Sequence, residues 1–171
     1  MAEPLVTIIM RQFIVICVMV LFASISVRAD DSTLIMPSSE LSPEQVIEIQ
    51  LLGLSAGGDV ASFDPHQGIK QVWVFAHPDN RRVTGPLMRF AQLFINPAYA
   101  PMVGHTRHEI EPFKQDETEA SFIVSITAQD GRVYAYLWSL RLTEEGDASQ
   151  TVEPGWWMTS SVSAPRIGDA S

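Results

Sequence analysis

The sequence contains a single cysteine, Cys17, which lies inside an apolar run near the N-terminus. The rest of the chain therefore cannot form a disulfide, bind a metal through thiolates or use a cysteine nucleophile. Basic residues are also few, since 11 lysines and arginines stand against 20 aspartates and glutamates, for a net charge of −9. An acidic surface repels the phosphates of nucleic acids and anionic lipid headgroups, so neither is an expected partner.

Several common functional motifs are missing as well. There is no glycine-rich phosphate loop, no G-x-S-x-G nucleophile elbow and no H-E-x-x-H helix. Basic and aromatic residues are not interleaved as they are in nucleic-acid-binding surfaces. Common hydrolase, kinase and metalloprotease functions thus lose support, and no cofactor is predicted. The sequence also shows no internal repeat and no low-complexity segment.

The N-terminus has the pattern of an export signal. An uncharged apolar run extends from Phe13 to Ile25 and follows Arg11. Val27 and Ala29 then occupy the positions that a signal peptidase reads, so we predict cleavage after Ala29. The protein is expected to be exported to the periplasm or another extracytoplasmic space, or to a lumen in a photosynthetic eukaryote.

Two alternatives remain open for this segment. The longer stretch Leu5–Val27 could serve as a retained membrane anchor, although Arg11 interrupts it. Translation from Met10 would remove Glu3 and leave a cleaner signal. A membrane is expected to be contacted only through residues 1–29, and only if they are retained. Without them the chain carries 9 basic and 19 acidic residues, a net charge near −10.

Helical patterns come first in the remaining chain. Ser42 and Gln45 form a capping box around Pro43, which suits the first helical position. The apolar stripe of this helix consists of Val46, Ile47, Leu51 and Leu54. Thr84 is predicted to cap a second helix, GPLMRFAQLFIN. Between the two, Ile69–Ala76 is apolar enough to be either a short helix or a strand.

Strand patterns occupy the second half. The predicted strands are Glu109–Lys114, Glu119–Thr127, Val133–Leu142 and Gly155–Ser163, with a hairpin at Asp130-Gly131. Helices followed by strands predict an α+β fold with the helices packed on an antiparallel sheet of about four strands, preceded by a signal helix. The predicted boundaries are 1–29 for the signal or anchor, 30–41 for a disordered leader, 42–163 for the domain and 164–171 for a flexible tail.

Several segments together resemble a known family. They are VIEIQLLGL followed by Asp59, then QVWVFAHPDNRRVTGPLMRFAQLF, NPAYAPMVGH, the QDGR hairpin and GWWMTSSV, within Ser42 to Val162. They are similar to the bacterial and photosynthetic-lineage proteins grouped as domain of unknown function 4864; the acidic loop before Trp156 departs from that pattern. The resemblance implies a cystatin-like or nuclear transport factor 2-like cone, in which a curved sheet wraps around helices and leaves a pocket. By analogy with that fold a homodimer is plausible, and no activity is implied.

Histidines are the first candidates for chemistry. His105 and His108 are candidate metal ligands, with Glu109 or Glu111 needed to extend the set. The segment is predicted to be extended, however, and residues i and i+3 of a strand point to opposite faces. His77, which precedes a proline, is expected to cap or close a turn and is also a candidate acid–base group.

An acid–base site inside a cavity is the second candidate. Pocket enzymes of the isomerase or dehydratase type need a carboxylate or histidine of shifted pKa between apolar walls. Asp59, Tyr99 and His77 are the candidate residues, and Gln50 is a polar companion on the first helical stripe. The alternatives are that Asp59 caps a following helix and that Tyr99 is a buried aromatic residue with a satisfied hydroxyl.

Aromatic side chains are the third candidate set. Tyr134, Tyr136 and Trp138 share one face of a predicted strand. The candidate ligand-binding residues are Gln50, Trp73, Phe90, Tyr136 and Trp138. Such rings can line an apolar pocket, and the alternative is that they form the core of a small helix-on-sheet domain.

Three functions are compatible with these patterns. The leading hypothesis is a non-catalytic exported module that binds a small apolar ligand or a protein partner. The second is a ketosteroid-isomerase-like pocket enzyme that uses an Asp or His acid–base residue, and the third is a membrane-tethered accessory subunit. A buried titratable group in an enclosed pocket would favour the enzyme, whereas a filled cone with an exposed apolar sheet face would favour the interaction module.

Overall fold

The computed structural model describes residues 34–55, 64–149, 151–163 and 166–167. The chain divides into two units, Met1–Ser32 and Thr33–Ser171, and all described residues belong to the second. The predicted signal with its cleavage site at Ala29, and the candidate residue Asp59, lie outside the described residues. Within the described part, no helix is both long enough and apolar enough to cross a membrane.

Four α-helices come first. They are α1 (Pro43–Leu54), α2 (Pro65–Val74), α3 (Pro78–Thr84) and α4 (Leu87–Leu93). Each of the first three begins with a proline, and the side chain before that proline caps the helix by accepting a backbone N–H; these caps are Ser42, Asp64 and His77. Proline lacks the N–H that the first turn would leave unpaired, so each position favours a helix start. The capping box predicted at Ser42 is confirmed.

Two helical segments needed the structure to define them. The ambiguous segment Ile69–Ala76 is mostly helical, because α2 runs to Val74. The prediction that Thr84 caps a helix is wrong. Thr84 is the last residue of α3, and its hydroxyl donates to the carbonyl of Asn80 at 2.8 Å. A hydroxyl that bonds the carbonyl four residues earlier continues the preceding helix instead of starting the next one.

An antiparallel sheet follows the helices. Its strands are β1 (Arg107–Gln115), β2 (Glu119–Thr127), β3 (Val133–Leu142) and β4 (Trp157–Val162), paired in that order, and the short β5 (Arg166–Ile167) pairs with β3. The β2–β3 hairpin turns at the predicted Asp130-Gly131, where Gly131 has a φ of 79° that favours glycine. The predicted α+β class is confirmed. β5 falls inside the segment predicted to be a flexible tail.

The core lies between the helices and one face of the sheet. On β2 and β3 the inward side chains alternate along each strand; they are Ala120, Phe122, Val124, Ile126, Tyr134, Tyr136, Trp138 and Leu140. All four residues of the predicted α1 stripe are buried against this layer. The outward residues of the same strands are only partly buried or exposed, as expected for a sheet with one covered face.

Helices α1 and α2 approach each other closely at two glycines. A Cβ atom built on Gly68 would lie 2.1 Å from the carbonyl oxygen of Gly53. Next to this contact, the Gln71 side chain forms two hydrogen bonds with the backbone of Ile35, at 2.9 Å and 2.8 Å. Part of the segment predicted to be a disordered leader is therefore held on α2.

Two strands carry an extra residue. The β1–β2 register shifts between Pro112 and Lys114, which leaves Phe113 as the extra residue on β1. The β3–β4 register shifts so that Ser160 is the extra residue on β4. Such bulges bend a strand and change which side chains share a face.

Candidate functional site

A cavity of about 390 Å³ lies between the helices and the inner face of the sheet. This volume is within the range of small-molecule binding sites. Its walls are mostly apolar and include Val72, Phe90, Leu93, Phe94, Met102 and Val162. The polar side chains of the lining form two groups: some are buried, and others are charged and partly exposed, at what we call the mouth.

Three side chains form the buried polar group, which we call the polar wall: Gln50, Thr159 and Trp138. All three are at most 2% exposed. Gln50 Nε2 donates to the carbonyl of Val46 at 2.9 Å and lies 3.0 Å from Thr159 Oγ1, and Thr159 Oγ1 donates to Gln50 Oε1 at 3.1 Å. Trp138 Nε1 donates to Thr159 Oγ1 at 3.0 Å. The threonine hydroxyl thus joins α1 to the sheet.

The β4 bulge creates this arrangement. Leu140 pairs with Thr159 and Trp138 pairs with Val162, and both β3 residues point inward. Because Ser160 is an extra residue, Thr159 and Val162 both line the cavity although they are three positions apart. The backbone of Thr159 is also fixed by a hydrogen bond, since its N–H donates to the carbonyl of Phe75 at 2.8 Å.

The mouth carries an ion-pair cluster. Arg141 of β3 and Arg82 of α3 both donate to the carboxylate of Asp79. The hydrogen bonds from Arg141 and then Arg82 hold the pKa of Asp79 below its usual value, and the hydrogen bond to Asp79 raises the pKa of Arg141. A carboxylate stabilised in its charged form in this way is a weak base.

His77 lies behind this cluster and is fully buried. It was predicted to cap or close a turn, and it caps α3: its Nδ1 accepts the N–H of Asp79 at 3.2 Å. Its Nε2 is 3.4 Å from the carboxylate of Asp147. Burial, and then the charge of Arg141, lower the pKa of His77. His77 does not line the cavity as the structure describes it.

The same cluster has the residue types of a metal site. Ligand atoms of His77, Asp79 and Asp147 lie within 4.8 Å of one another. However, Arg141 bonds Asp79 and places its Nη2 3.4 Å from His77 Nδ1. A guanidinium between these ligands already supplies the positive charge, so the geometry disfavours a cation there.

Acid is expected to destabilise the domain through His77. Because the folded-state pKa of His77 lies below its unfolded value, its contribution is present above pH ~6.5 and is lost as the pH falls further. We expect His77→Asn, which keeps an acceptor at the cap, to reduce the loss of stability below that pH, a loss of up to about 1.4 kcal/mol per pH unit. Urea denaturation between pH 5 and 8 measures this. The exposed His66, changed to Asn, is the control, and equal slopes for wild type and His77→Asn would contradict the prediction.

The structure separates the other candidate residues into two groups. Gln50, Phe90, Tyr99 and Trp138 line the cavity. The Tyr99 hydroxyl donates to the carbonyl of Val162 at 3.1 Å. These positions come from four different elements, α1, α4, the turn after α4 and β3, and the fold brings them together.

Trp73 and Tyr136 belong instead to the packing around the cavity. The Trp73 ring lies 5.1 Å from that of Phe90 and 5.4 Å from the Arg81 guanidinium carbon. Tyr136 donates its hydroxyl to the carbonyl of Ala98 at 3.0 Å, and burial raises its pKa. The surroundings of these two rings therefore match the alternative stated above, that they are part of the core.

The expectation that His105 and His108 point to opposite faces is wrong. Their ring nitrogens, His105 Nε2 and His108 Nδ1, are 2.8 Å apart. His105 is not part of β1, because it follows Gly104, whose φ is 70°, and pairs with Ser55 in an isolated bridge. The strand alternation therefore does not apply across the pair. A nitrogen–nitrogen distance of 2.8 Å is that of a hydrogen bond and leaves no room for a metal ion between the rings.

Sequence reasoning missed Thr159, Arg141 and Glu48. Thr159 lies in a strand whose bulge is invisible in the sequence, and the Arg141–Asp79 pair joins residues 62 positions apart. Glu48 contacts His108, which lies 60 positions later in the sequence. Of the polar wall, Gln50 could be identified from the sequence, because a polar residue interrupts an apolar helical stripe.

The chain matches no family model, no curated protein and no solved structure. The resemblance to domain of unknown function 4864, the cone-shaped fold, the export signal and the homodimer therefore stay predictions. What the cavity can do follows from its own geometry.

Proposed function

We propose that this domain is a non-catalytic binding module that holds a small, mostly apolar molecule in the cavity between its helices and its sheet. The observation that carries this proposal is a cavity of about 390 Å³ with apolar walls and a buried, hydrogen-bonded polar wall. Apolar walls favour a ligand by about 25 cal/mol for each Å² of apolar surface removed from water. A few polar groups then orient it.

The polar wall indicates the chemistry of one end of the ligand. The Gln50 amide is oriented by Val46, whose carbonyl oxygen can only accept, so the Gln50 nitrogen faces that carbonyl. Gln50 Oε1 accepts one hydrogen bond from Thr159 and keeps a second lone pair. An otherwise apolar ligand with one hydroxyl or N–H group could donate a hydrogen bond to this second lone pair of Gln50 Oε1.

The titratable residues of the cavity support binding more than acid–base catalysis. Among the described lining residues they are Asp79, Tyr99 and Arg141, and each is already paired. A pocket enzyme of the isomerase type needs a carboxylate whose pKa is raised between apolar walls. The pKa of Asp79 is lowered instead.

Native mass spectrometry of the protein purified from its own host tests the proposal. We expect an added mass of a small organic molecule that is released when the protein is denatured and that can be identified in the extract. The enzyme alternative would be favoured if the extract also contained a converted product of that molecule. A bare mass, together with no binding of apolar probes, would contradict the proposal.

Filling the cavity is expected to weaken ligand binding. Leu93 lines the cavity from α4, so Leu93→Trp places an indole in the space of the ligand. Met88 lies on the same helix, is 78% exposed and does not line the described cavity, so Met88→Trp is the matched control. In titrations with an environment-sensitive apolar dye, we expect Leu93→Trp to weaken binding by about tenfold or more. Equal affinities for the two variants would contradict the proposed site.

A further inference from the structure

A line of hydrogen bonds connects α1 to the turn before β1. His105 Nδ1 lies 2.7 Å from the Met102 carbonyl, and His105 Nε2 lies 2.8 Å from His108 Nδ1. His108 Nε2 lies 3.1 Å from a carboxylate oxygen of Glu48. The His105 side chain is fully buried, that of His108 is 13% exposed and that of Glu48 is 45% exposed. The line thus runs from the interior to the surface.

The three hydrogen bonds of this line need one more proton than two neutral histidine rings carry. Both ends, the Met102 carbonyl and an ionised Glu48, can only accept hydrogen bonds. Three contacts then require three protons, whereas two neutral imidazole rings carry two. With two protons, one of the three contacts places two lone pairs against each other. With a third, all three contacts are hydrogen bonds and the line has no net charge.

Burial decides which ring holds the third proton. Burial is the main cause that lowers the pKa of His105, so this ring is the neutral one. Its Nδ1 must carry its proton, because the Met102 carbonyl cannot donate. His105 Nε2 then accepts from His108 Nδ1. The third proton therefore lies on His108, whose Nε2–H faces the carboxylate of Glu48.

We propose that Glu48, His108 and His105 form a hydrogen-bonded clasp that ties α1 to the sheet when the line holds three protons and loosens when it holds two. The link between Glu48 and His108 is the one that opens. If the bond between His105 and the Met102 carbonyl broke, that carbonyl would be left unpaired in a residue that is only 2% exposed, which is costly. If the bond between His108 and Glu48 broke, the Glu48 carboxylate could instead be hydrated, because its side chain is 45% exposed.

The charged residues beside this line are exposed, including Glu44, which lies one turn before Glu48 on α1. The charges that act on His105 are those of His108 and Glu48. On β1, Arg107 and Glu109 flank His108, but they pair with each other at 2.5 Å and are exposed. From β2, the His108 pairing partner is the apolar residue Ile126, which is buried. Loosening of the clasp would nevertheless reach the cavity, because Met102 lines it and α1 also supplies Gln50.

Nuclear magnetic resonance of the ¹⁵N-histidine-labelled protein tests the proton positions directly. We expect a coupling across the hydrogen bond between His108 Nδ1 and His105 Nε2 at both pH 5.5 and pH 8. His105 should stay the neutral Nδ1–H tautomer throughout, and any proton that the line loses at the higher pH should come from His108 Nε2. Absence of the coupling, or a proton on His105 Nε2, would overturn the proposal.

The variant Glu48→Gln should lower stability more at pH 5.5 than at pH 8. At pH 5.5 it removes the charge that meets His108, and we expect the folded-to-unfolded ratio to fall about tenfold. Wherever His108 Nε2 carries no proton, the amide N–H can donate to it instead, so the fall in this ratio should be smaller or absent at pH 8. Urea denaturation at each pH measures both ratios.

Glu44→Gln is the matched control, because Glu44 lies one turn earlier on α1 and outside the hydrogen-bonded line. Its effect should differ much less between pH 5.5 and pH 8 than that of Glu48→Gln, because Glu44 acts on the line only through space. Comparing variants at one pH cancels the contribution of His77. A Glu48→Gln effect that does not depend on pH would overturn the clasp, and the wild-type resonance experiment still decides if the variant fails to fold. Neither result involves a ligand, so the cavity proposal is tested separately.

Discussion

Replacing Gly68 with alanine is expected to destabilise the domain by about 3 kcal/mol or more, at the upper end of the cost of overpacking. The new methyl group would lie 2.1 Å from the Gly53 carbonyl oxygen and 2.9 Å from its carbon, so it meets backbone that no rotamer change can move. Helices α1 and α2 would have to separate. Urea denaturation, followed by circular dichroism, measures the loss.

Two other glycines provide controls for this prediction. A Cβ on Gly53 would lie 3.1 Å and 3.2 Å from Cβ and Cγ of Gln71, a contact that requires a shift of only a few tenths of an ångström. A Cβ on Gly146 would meet nothing within 4 Å. We therefore expect the order Gly68→Ala, then Gly53→Ala, then Gly146→Ala in decreasing cost. A Gly68→Ala protein as stable as the Gly146→Ala protein would contradict the close helix contact.

Thr159→Val should have the second largest effect, about 3 kcal/mol. It keeps the shape of the side chain but removes the hydroxyl that Trp138 Nε1 donates to and that donates to Gln50 Oε1. Both partners are buried, and each unsatisfied buried polar group costs about 1–3 kcal/mol. Thermal and urea denaturation measure the change.

Thr159→Ser is the matched control, because serine retains the hydroxyl and loses only a methyl group. The double variant Thr159→Val with Gln50→Leu should recover part of the stability, since it removes one of the two unsatisfied partners. If Thr159→Val is as stable as Thr159→Ser, the polar wall does not hold α1 to the sheet. The same variants also test the ligand, because a ligand that donates to Gln50 should bind the double variant poorly.

Local patterns were sufficient to predict most elements. The bounds of β2 and β3 were predicted to the residue, because alternation and the Asp-Gly turn act over a few positions. The start of α1 was predicted from its capping box for the same reason. Ile69–Ala76 was undecided, since its helical state follows from the cap at Asp64 and from packing on α1.

The site was predictable only in part. Gln50, Phe90 and Trp138 could be singled out, since each is conspicuous within its own element. Thr159 required knowledge of a bulge, and His105 required knowledge that Gly104 turns the chain before β1 begins. These are consequences of tertiary pairing, and no local spacing encodes them.

The irregularity in β1 bears on how the protein behaves in concentrated solution. Among the described strands, β1 borders the sheet and pairs only with β2. Its bulge at Phe113 follows Pro112, which has no N–H to offer, and Lys114 adds a charge. An incoming strand of another molecule would meet a bent and partly donor-free border, which discourages edge-to-edge aggregation. We therefore expect that if two copies of this domain associate, they do not do so by pairing one β1 border with another.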